Sequence, residues 1–262
     1  MSDARSRFLH AAAWRVDKAL MMRDAGFDPD PHQLEFMDSD AQNALMFWSR
    51  QTGKTRSLAT EVEHTACYDP GDIVIIAGEK QGQAFEVFDR AHAMHEDLLK
   101  LGNLPAARKA DNELLYDNGS RILACPSTVE SIRGYTAKLV IIDEAAFTDD
   151  LILGKVAPML VTTGGRLICA STPNGARGWF YEAWQSTDGS WAKFKTLAED
   201  VKRITAAELA RQKLLLGLFK YRQEFGLEFI DGAQQYFTTE MVDAALCSDI
   251  EPLFPDFEAL AA

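Results

Sequence analysis

The chain of 262 residues contains no stretch approaching the roughly 18 uninterrupted apolar residues that a membrane helix requires. Its first residues, Met1-Ser2-Asp3-Ala4-Arg5, also lack the apolar core of a secretory signal, so cytoplasm is the expected compartment. There is no CxxC spacing. The four cysteines, Cys67, Cys125, Cys169 and Cys247, are scattered and two lie in apolar, strand-like runs, which reads as buried reduced thiols rather than disulfides or zinc ligands. Positive charge is in deficit: 27 Lys and Arg face 39 Asp and Glu, a net charge of −12, which excludes a surface that coats nucleic acid indiscriminately. Any contact with DNA must be local. The candidates are Lys193 with Lys195, Lys202 with Arg203, and Arg211 with Lys213, and each reads equally well as a solvated face. Neither an internal repeat nor a low-complexity tract is present. With 47% hydrophobic residues the chain can bury a substantial core, as one large α/β domain or one and a half ordinary ones.

One more absence is local. The apolar run Ala44-Leu45-Met46-Phe47-Trp48 leads directly into Ser49-Arg50-Gln51-Thr52-Gly53-Lys54-Thr55. This is the GxxxxGK[ST] pattern with its first glycine missing, because Trp48 stands there and Ser49 and Arg50 must shape the mouth of the loop. A strand feeding such a turn makes a phosphate cradle: backbone N–H groups face one concavity, and the following helix adds the positive end of its dipole. Lys54 then bridges the outer phosphates and the Thr55 hydroxyl ligates Mg²⁺. Alone the motif is of moderate specificity, but a partner follows at Leu139-Val140-Ile141-Ile142-Asp143-Glu144. Four apolar residues ending in two carboxylates read as a strand buried on both faces of a parallel sheet. Ligands collect at the carboxyl ends of such strands, so Asp143 can reach the Mg²⁺ shell and Glu144 the attacking water. Together the two motifs point to an ATPase.

Along the chain, residues 6–25 carry apolar residues at helical spacing and predict one amphipathic helix ending near Gly26. A Pro-rich connector with Gln33 precedes a short helix. Strands are expected at 43–48, 72–77, 139–143 and 166–171, and helices at 54–67, from about 81 to 101 and at 151–160, giving βαβ units and an α/β fold class. The Asn118-Gly119 turn between Leu114 and Leu123 predicts a β-hairpin at a sheet edge. Ser171-Thr172-Pro173 closes a strand beside that of Asp143, where a group that senses the γ-phosphate must lie, or forms a plain turn. From 205 to 229 the helical pattern, with Leu209, Leu214, Leu215, Leu218, Phe219, Phe225 and Phe229, predicts a core-facing stripe. His92 and His95 read as exposed helix residues rather than metal ligands. Trp179, Phe180, Tyr181 and Trp184 read as packing against the sheet rather than as a base-stacking surface.

Taken in order, Gln33, SRQTGKT, AGEKQGQAF, SIRGYTAKLVIIDEAAF, ASTPNGARGWFYEAW and FKYRQEFGLEF resemble the ATPase domain of the large terminase subunit of tailed bacteriophages, over roughly residues 25–237. The Arg-bearing, glycine-poor loop is a feature of that family. The resemblance implies a P-loop NTPase of the ASCE type, with a central, mostly parallel sheet flanked by helices and an edge β-hairpin. It implies an N-terminal helix over 1–26, an ATPase domain over 27–240 and a linker-like tail over 241–262. By the same resemblance Gln33 reads adenine; Ser49, Arg50, Gln51, Thr52, Gly53, Lys54 and Thr55 hold the phosphates; Thr55 and Asp143 hold Mg²⁺; Glu144 orients the water. Ser171, Thr172 and Pro173 couple hydrolysis to movement. Arg133 matches the position of an arginine finger offered to a neighbour's ATP, and reads equally as a surface arginine.

The function implied is ATP-driven translocation of double-stranded viral DNA into a procapsid. The implied partners are the portal protein, the small terminase subunit and further copies in a ring, in the cytoplasm of the infected bacterium. Family members generally carry a second, nuclease domain; no acidic set after residue 240 matches one, so DNA cleavage is not expected of this chain. Two other readings stand beside this one: a helicase-like, nucleic-acid-stimulated ATPase, and a docking module that binds nucleotide without hydrolysing it.

Overall fold

The computed structural model describes residues 2–78, 81–127 and 134–230. Its centre is an eight-stranded sheet: β1 (Asn43–Trp48), β2 (Ile73–Gly78), β3 (Ala107–Lys109), β4 (Glu113–Tyr116), β5 (Arg121–Pro126), β6 (Leu139–Asp143), β7 (Arg166–Ser171) and β8 (Ala192–Thr196). The spatial order is β3-β4-β5-β2-β6-β7-β1-β8. The run from β5 to β8 is parallel, while β4 and β3 are antiparallel extensions at one edge. The hairpin thus extends the sheet as expected, with β5 itself paired in parallel to β2.

Both faces of this sheet are covered, which explains its near-continuous apolar strands. Alternate residues sort to opposite sides. Ala44, Met46, Trp48, Val74, Ile76, Leu139, Ile141, Ile168 and Ala170 pack with α4 (Lys54–Tyr68), α5 (Gln81–Leu98) and the short α3 (Pro31–Met37). Leu45, Phe47, Ile75, Ala77, Val140, Ile142, Leu167 and Cys169 pack with α6 (Ile152–Leu160) and α7 (Gly178–Gln185). Trp179 and Phe180 of α7 are buried in that second layer, and Phe47 lies against Phe180, Trp184 and Phe229. At ~1.5–3 kcal/mol per fully buried large apolar side chain, this two-sided core holds the strand ends in place.

Three expectations need correction. The N-terminal helix is two helices, α1 (Ser2–Val16) and α2 (Lys18–Asp24), because the extended Asp17 between them caps α2 by accepting a hydrogen bond from the Leu20 N–H at 2.8 Å. Trp14 is buried against α2 and α5 residues, while Val16 at the break is 85% exposed. The helix α8 (Ala206–Glu224) does not carry a core stripe: Leu214, Leu215 and Leu218 are 87%, 67% and 56% exposed, and Gly217 interrupts the helix at φ 74. Its buried residues are Leu209 near the start and Gln223 and Glu224 at the end, with Phe225 just beyond, so apolar residues at helical spacing overstate what the helix touches. Finally, His95 is fully buried rather than a surface polar residue. Among the described residues no helix is long and apolar enough to cross a membrane.

Candidate functional site

The segment 49–55 connects β1 to α4, and its shape is fixed from four directions. Gly53 sits at φ 95 and a Cβ there would lie 2.7 Å from Gln33 Nε2, so both conformation and space require glycine. Gln51 also takes a positive φ of 64. Ser49 N–H donates to the Thr196 carbonyl at 3.0 Å, Ser49 Oγ to the Phe225 carbonyl at 2.7 Å, and Thr52 Oγ1 to the Ser49 carbonyl at 2.7 Å. From below, His32 Nε2 donates to the Thr52 carbonyl at 2.8 Å, and burial holds this imidazole's pKa below the usual value. Trp48, where a glycine usually stands, is buried and meets His32 and Phe36 edge-on at 4.5 and 5.9 Å. An aromatic floor replaces the missing glycine's close approach.

Gln33 is the third residue of α3 rather than a residue before it. It is only 3% exposed and its amide is engaged inside the protein: Oε1 accepts from Asp30 N–H at 2.9 Å, while Nε2 donates to Ser57 Oγ at 3.0 Å and the Gly53 carbonyl at 3.3 Å. It therefore braces the loop. Arg50 points to the C-terminal end of α8: its N–H donates to the Glu224 carbonyl at 3.1 Å, and its Nε to Glu224 Oε2 at 2.6 Å. Arg203 ties the same loop from the side, donating to the Gln51 carbonyl at 3.0 Å and pairing with Asp30.

The second half of the site lies at the ends of β6 and β7. Asp143 is opposite Ala170 on β7, whose next residue Ser171 is opposite Phe47 on β1, so β7 separates the Asp143 strand from the phosphate-loop strand. Asp143 is 8% exposed, and desolvation pushes its carboxyl up to about 6, against the pull of Lys54 and with added repulsion from Glu144. Glu144 takes the left-handed conformation at φ 53, and its N–H donates to Asp143 Oδ1 at 3.0 Å. Such a conformation at a non-glycine residue is held by its surroundings and marks functional turns. Here the surroundings are named: Ser171 Oγ accepts from Ala146 N–H at 3.1 Å, and Asn174 Nδ2 donates to the Ala146 carbonyl at 3.1 Å. Ser171 Oγ also donates to the Thr172 carbonyl at 2.7 Å, and Gln223 Nε2 to the Pro173 carbonyl at 2.7 Å.

Three polar atoms of this region are buried without a partner: Lys54 Nζ, Glu144 Oε2 and Thr172 Oγ1. Orphaned buried groups are costly and need an explanation, and an anionic ligand with a divalent cation supplies one. The fold thus brings Lys54, Thr55, Asp143 and Glu144 to one end of the parallel strands, with Ser171, Thr172 and Pro173 between. Arg133 lies outside the described residues. Sequence reasoning missed His32, Asp30, Gln223 and Glu224, and it read Arg203 as a candidate DNA contact rather than as a brace of the loop. Gln223 and Glu224 lie in the FKYRQEFGLEF segment, but nothing local there points to the loop, since Glu224 is 174 residues from the arginine it holds.

Residues 45–243 match the family described as "Terminase large subunit, T4likevirus-type, N-terminal". The large terminase subunit of Thermus virus P23-45 is 24% identical over 250 residues, covering 81% of this chain and 51% of that protein. That of Thermus phage G20c is 23% identical over 248 residues with the same coverage. The chain therefore spans about half the length of the curated relatives it matches. Among solved structures, the large terminase ATPase domain of Thermus phage P74-26 superposes with a TM-score of 0.72 at 23% identity, over 80% of this chain and 97% of that one. The large terminase of another thermophilic bacteriophage, in complex with ATP-gamma-S, gives 0.62 at 16% identity, over 76% and 52%. The fold is that of a P-loop NTPase of the ASCE type, as expected, with β7 as the strand inserted between β1 and β6. By the match to three quarters of its length, this chain belongs to the large terminase subunit family.

Proposed function

We propose that the chain is the ATP-hydrolysing motor part of a viral DNA-packaging terminase, dividing into an N-terminal helical segment over 1–26, an ATPase domain over 27–240 and a linker over 241–262. The observation that carries this reading is the set of unpartnered buried atoms, Lys54 Nζ, Glu144 Oε2 and Thr172 Oγ1, at one end of the parallel sheet. In this reading Lys54 and the backbone N–H groups of residues 51–55 bind the β and γ phosphates. Thr55 and the ionised Asp143 hold Mg²⁺, which when bound neutralises charge on the phosphate oxygens. Glu144 Oε2 accepts a hydrogen bond from the attacking water and orients it in line. Its turn is wired through Ala146 to Ser171, so a change at Glu144 reaches the Ser171-Thr172-Pro173 segment without a large motion.

Gln33 acts as a brace that links the base-binding side to Gly53, and Arg50 leaves Glu224 to face the phosphates when nucleotide enters. Arg133 serves a neighbouring copy's ATP. The partners are double-stranded DNA, the portal, the small terminase subunit and further copies of the chain in a ring, within the infected bacterium and attached to the procapsid. A non-hydrolysing docking module is disfavoured by the strained Glu144, which has no use in such a module. Phosphate release from Mg·ATP by the purified chain, with and without linear double-stranded DNA, tests the proposal. Turnover that needs Mg²⁺ supports it, and nucleotide binding with no phosphate released would favour the docking module.

A further inference from the structure

Between α4, α5 and the sheet edge lies a polar cluster that the proposed motor does not use. Glu63 and Cys67, one turn apart on α4, His95 on α5 and Tyr116 on β4 are all buried, in a core otherwise made of residues such as Val62, Ala66, Ala91 and Leu114. His95 Nδ1 and Cys67 Sγ both approach Glu63 Oε1, at 2.7 and 2.9 Å, and the Tyr116 hydroxyl donates to Oε2 at 2.7 Å. The ligating atoms of Glu63, Cys67 and His95 fall within 4.8 Å of one another. His95 Nε2 is buried without a partner, so the ring's polar engagement is all on the cluster side.

A carboxylate withdrawn from water costs several kcal/mol unless an opposite charge meets it. None of the three groups bonded to Glu63 carries a permanent positive charge. A divalent cation removes the imbalance, since one carboxylate and one thiolate neutralise it.

We propose that Glu63, Cys67 and His95 form a zinc site, with Tyr116 orienting the carboxylate from outside. Thiolate, imidazole and carboxylate are the donors zinc takes, whereas a hard cation such as Mg²⁺ prefers oxygen alone. The hydrogen bond from Tyr116 to the second carboxylate oxygen is the kind of outer contact that fixes a metal ligand. Bond lengths of about 2.0 Å to nitrogen and oxygen and 2.3 Å to sulfur put tetrahedral donors about 3.3–3.5 Å apart, so the present atoms must open by roughly half an ångström. Side-chain rotation supplies that. Binding releases the Cys67 thiol proton and leaves His95 neutral with its proton on Nε2; nothing is oxidised or reduced. The ion would staple α4, the helix that begins at Lys54, to α5 and β4.

Untagged chain produced with zinc in the medium should retain about one zinc ion per chain through gel filtration, read by elemental mass spectrometry. Cobalt in place of zinc should give thiolate-to-cobalt charge-transfer absorption in the near ultraviolet, lost in Cys67→Ser and kept in Cys125→Ser. The cobalt spectrum of the unsubstituted chain needs no variant, so a Cys67→Ser protein that fails to fold leaves the test standing. A chain that purifies without zinc, shows no thiolate band with excess cobalt and melts at one temperature with or without chelator would overturn the proposal. So would a cobalt band that survives Cys67→Ser, since the metal would then sit elsewhere.

Discussion

Replacing Asp143 with asparagine should make the nucleotide-free chain more stable, and by an amount that depends on pH. Asp143 is buried at the end of β6, and desolvation raises its carboxyl from an ordinary 3.8 to about 6 in the folded state. The folded pKa lies above the unfolded one, so the folded chain favours the protonated acid. That stabilisation is complete below the unfolded value and is lost as pH rises through about 6. At pH 7.5 the ionised carboxylate therefore costs about 3 kcal/mol, at about 1.4 kcal/mol per pH unit between the two values. Asparagine keeps an oxygen able to accept the Glu144 N–H, and it carries no charge.

The gain of Asp143→Asn should thus be about 3 kcal/mol above pH 7 and shrink to about 1 kcal/mol near pH 4.5. In thermal melts this corresponds to roughly 6–12 °C at neutral pH, at ~2–4 °C per kcal/mol for a chain of this size. Urea unfolding followed by tryptophan fluorescence from pH 4.5 to 8 measures it directly. Adding Mg²⁺ with a slowly hydrolysed ATP analogue should reverse the order, because only the aspartate can hold the ion. A variant no more stable than the parent at pH 7.5, or one whose advantage does not change with pH, would refute the account of Asp143 as a buried acid whose ionised form Lys54 and the Glu144 N–H do not fully compensate without ligand. The same protonation predicts that the KM for Mg·ATP rises below about pH 6.

Gly53→Ala places a Cβ against Gln33 at a positive φ, so it should cost ~1–3 kcal/mol of stability and abolish measurable nucleotide binding in calorimetry. Glu224→Ala removes the partner of a half-exposed Arg50, so it should cost about 1 kcal/mol by urea unfolding. By freeing Arg50 it should also tighten ATP several-fold, and weaker binding would contradict the latch. Leu214→Ser with Leu215→Ser should stay within ~0.5 kcal/mol of the parent, because both are exposed. A loss of about 2 kcal/mol or more would restore the core-facing reading of α8.

Much of the fold is legible in the sequence because the parallel strands are buried on both faces. Runs such as Leu139–Ile142 announce themselves without any partner in view. The motif halves are legible for the same reason: Asp143 ends such a strand and Lys54 follows the turn that ends another, at the carboxyl ends where sheets of this type bind ligands. Long-range pairing is not legible. Glu224 reaches Arg50, Gln223 reaches Pro173 and His32 supports Thr52, and no local pattern encodes any of these contacts. Helical periodicity also misleads in two ways. At 6–25 it runs across the cap at Asp17, and at 205–229 it counts leucines that meet only solvent. His95 reads as a surface residue because its burial depends on Glu63 and Tyr116, brought in from other elements.

The central claim is that Lys54, Asp143 and Glu144 serve one Mg·ATP, and a paired measurement on Glu144→Ala tests it most directly. Binding of Mg·ATP by calorimetry should stay within a few-fold of the parent, while single-turnover phosphate release should fall about 100-fold or more. Unchanged turnover in Glu144→Ala would contradict the account.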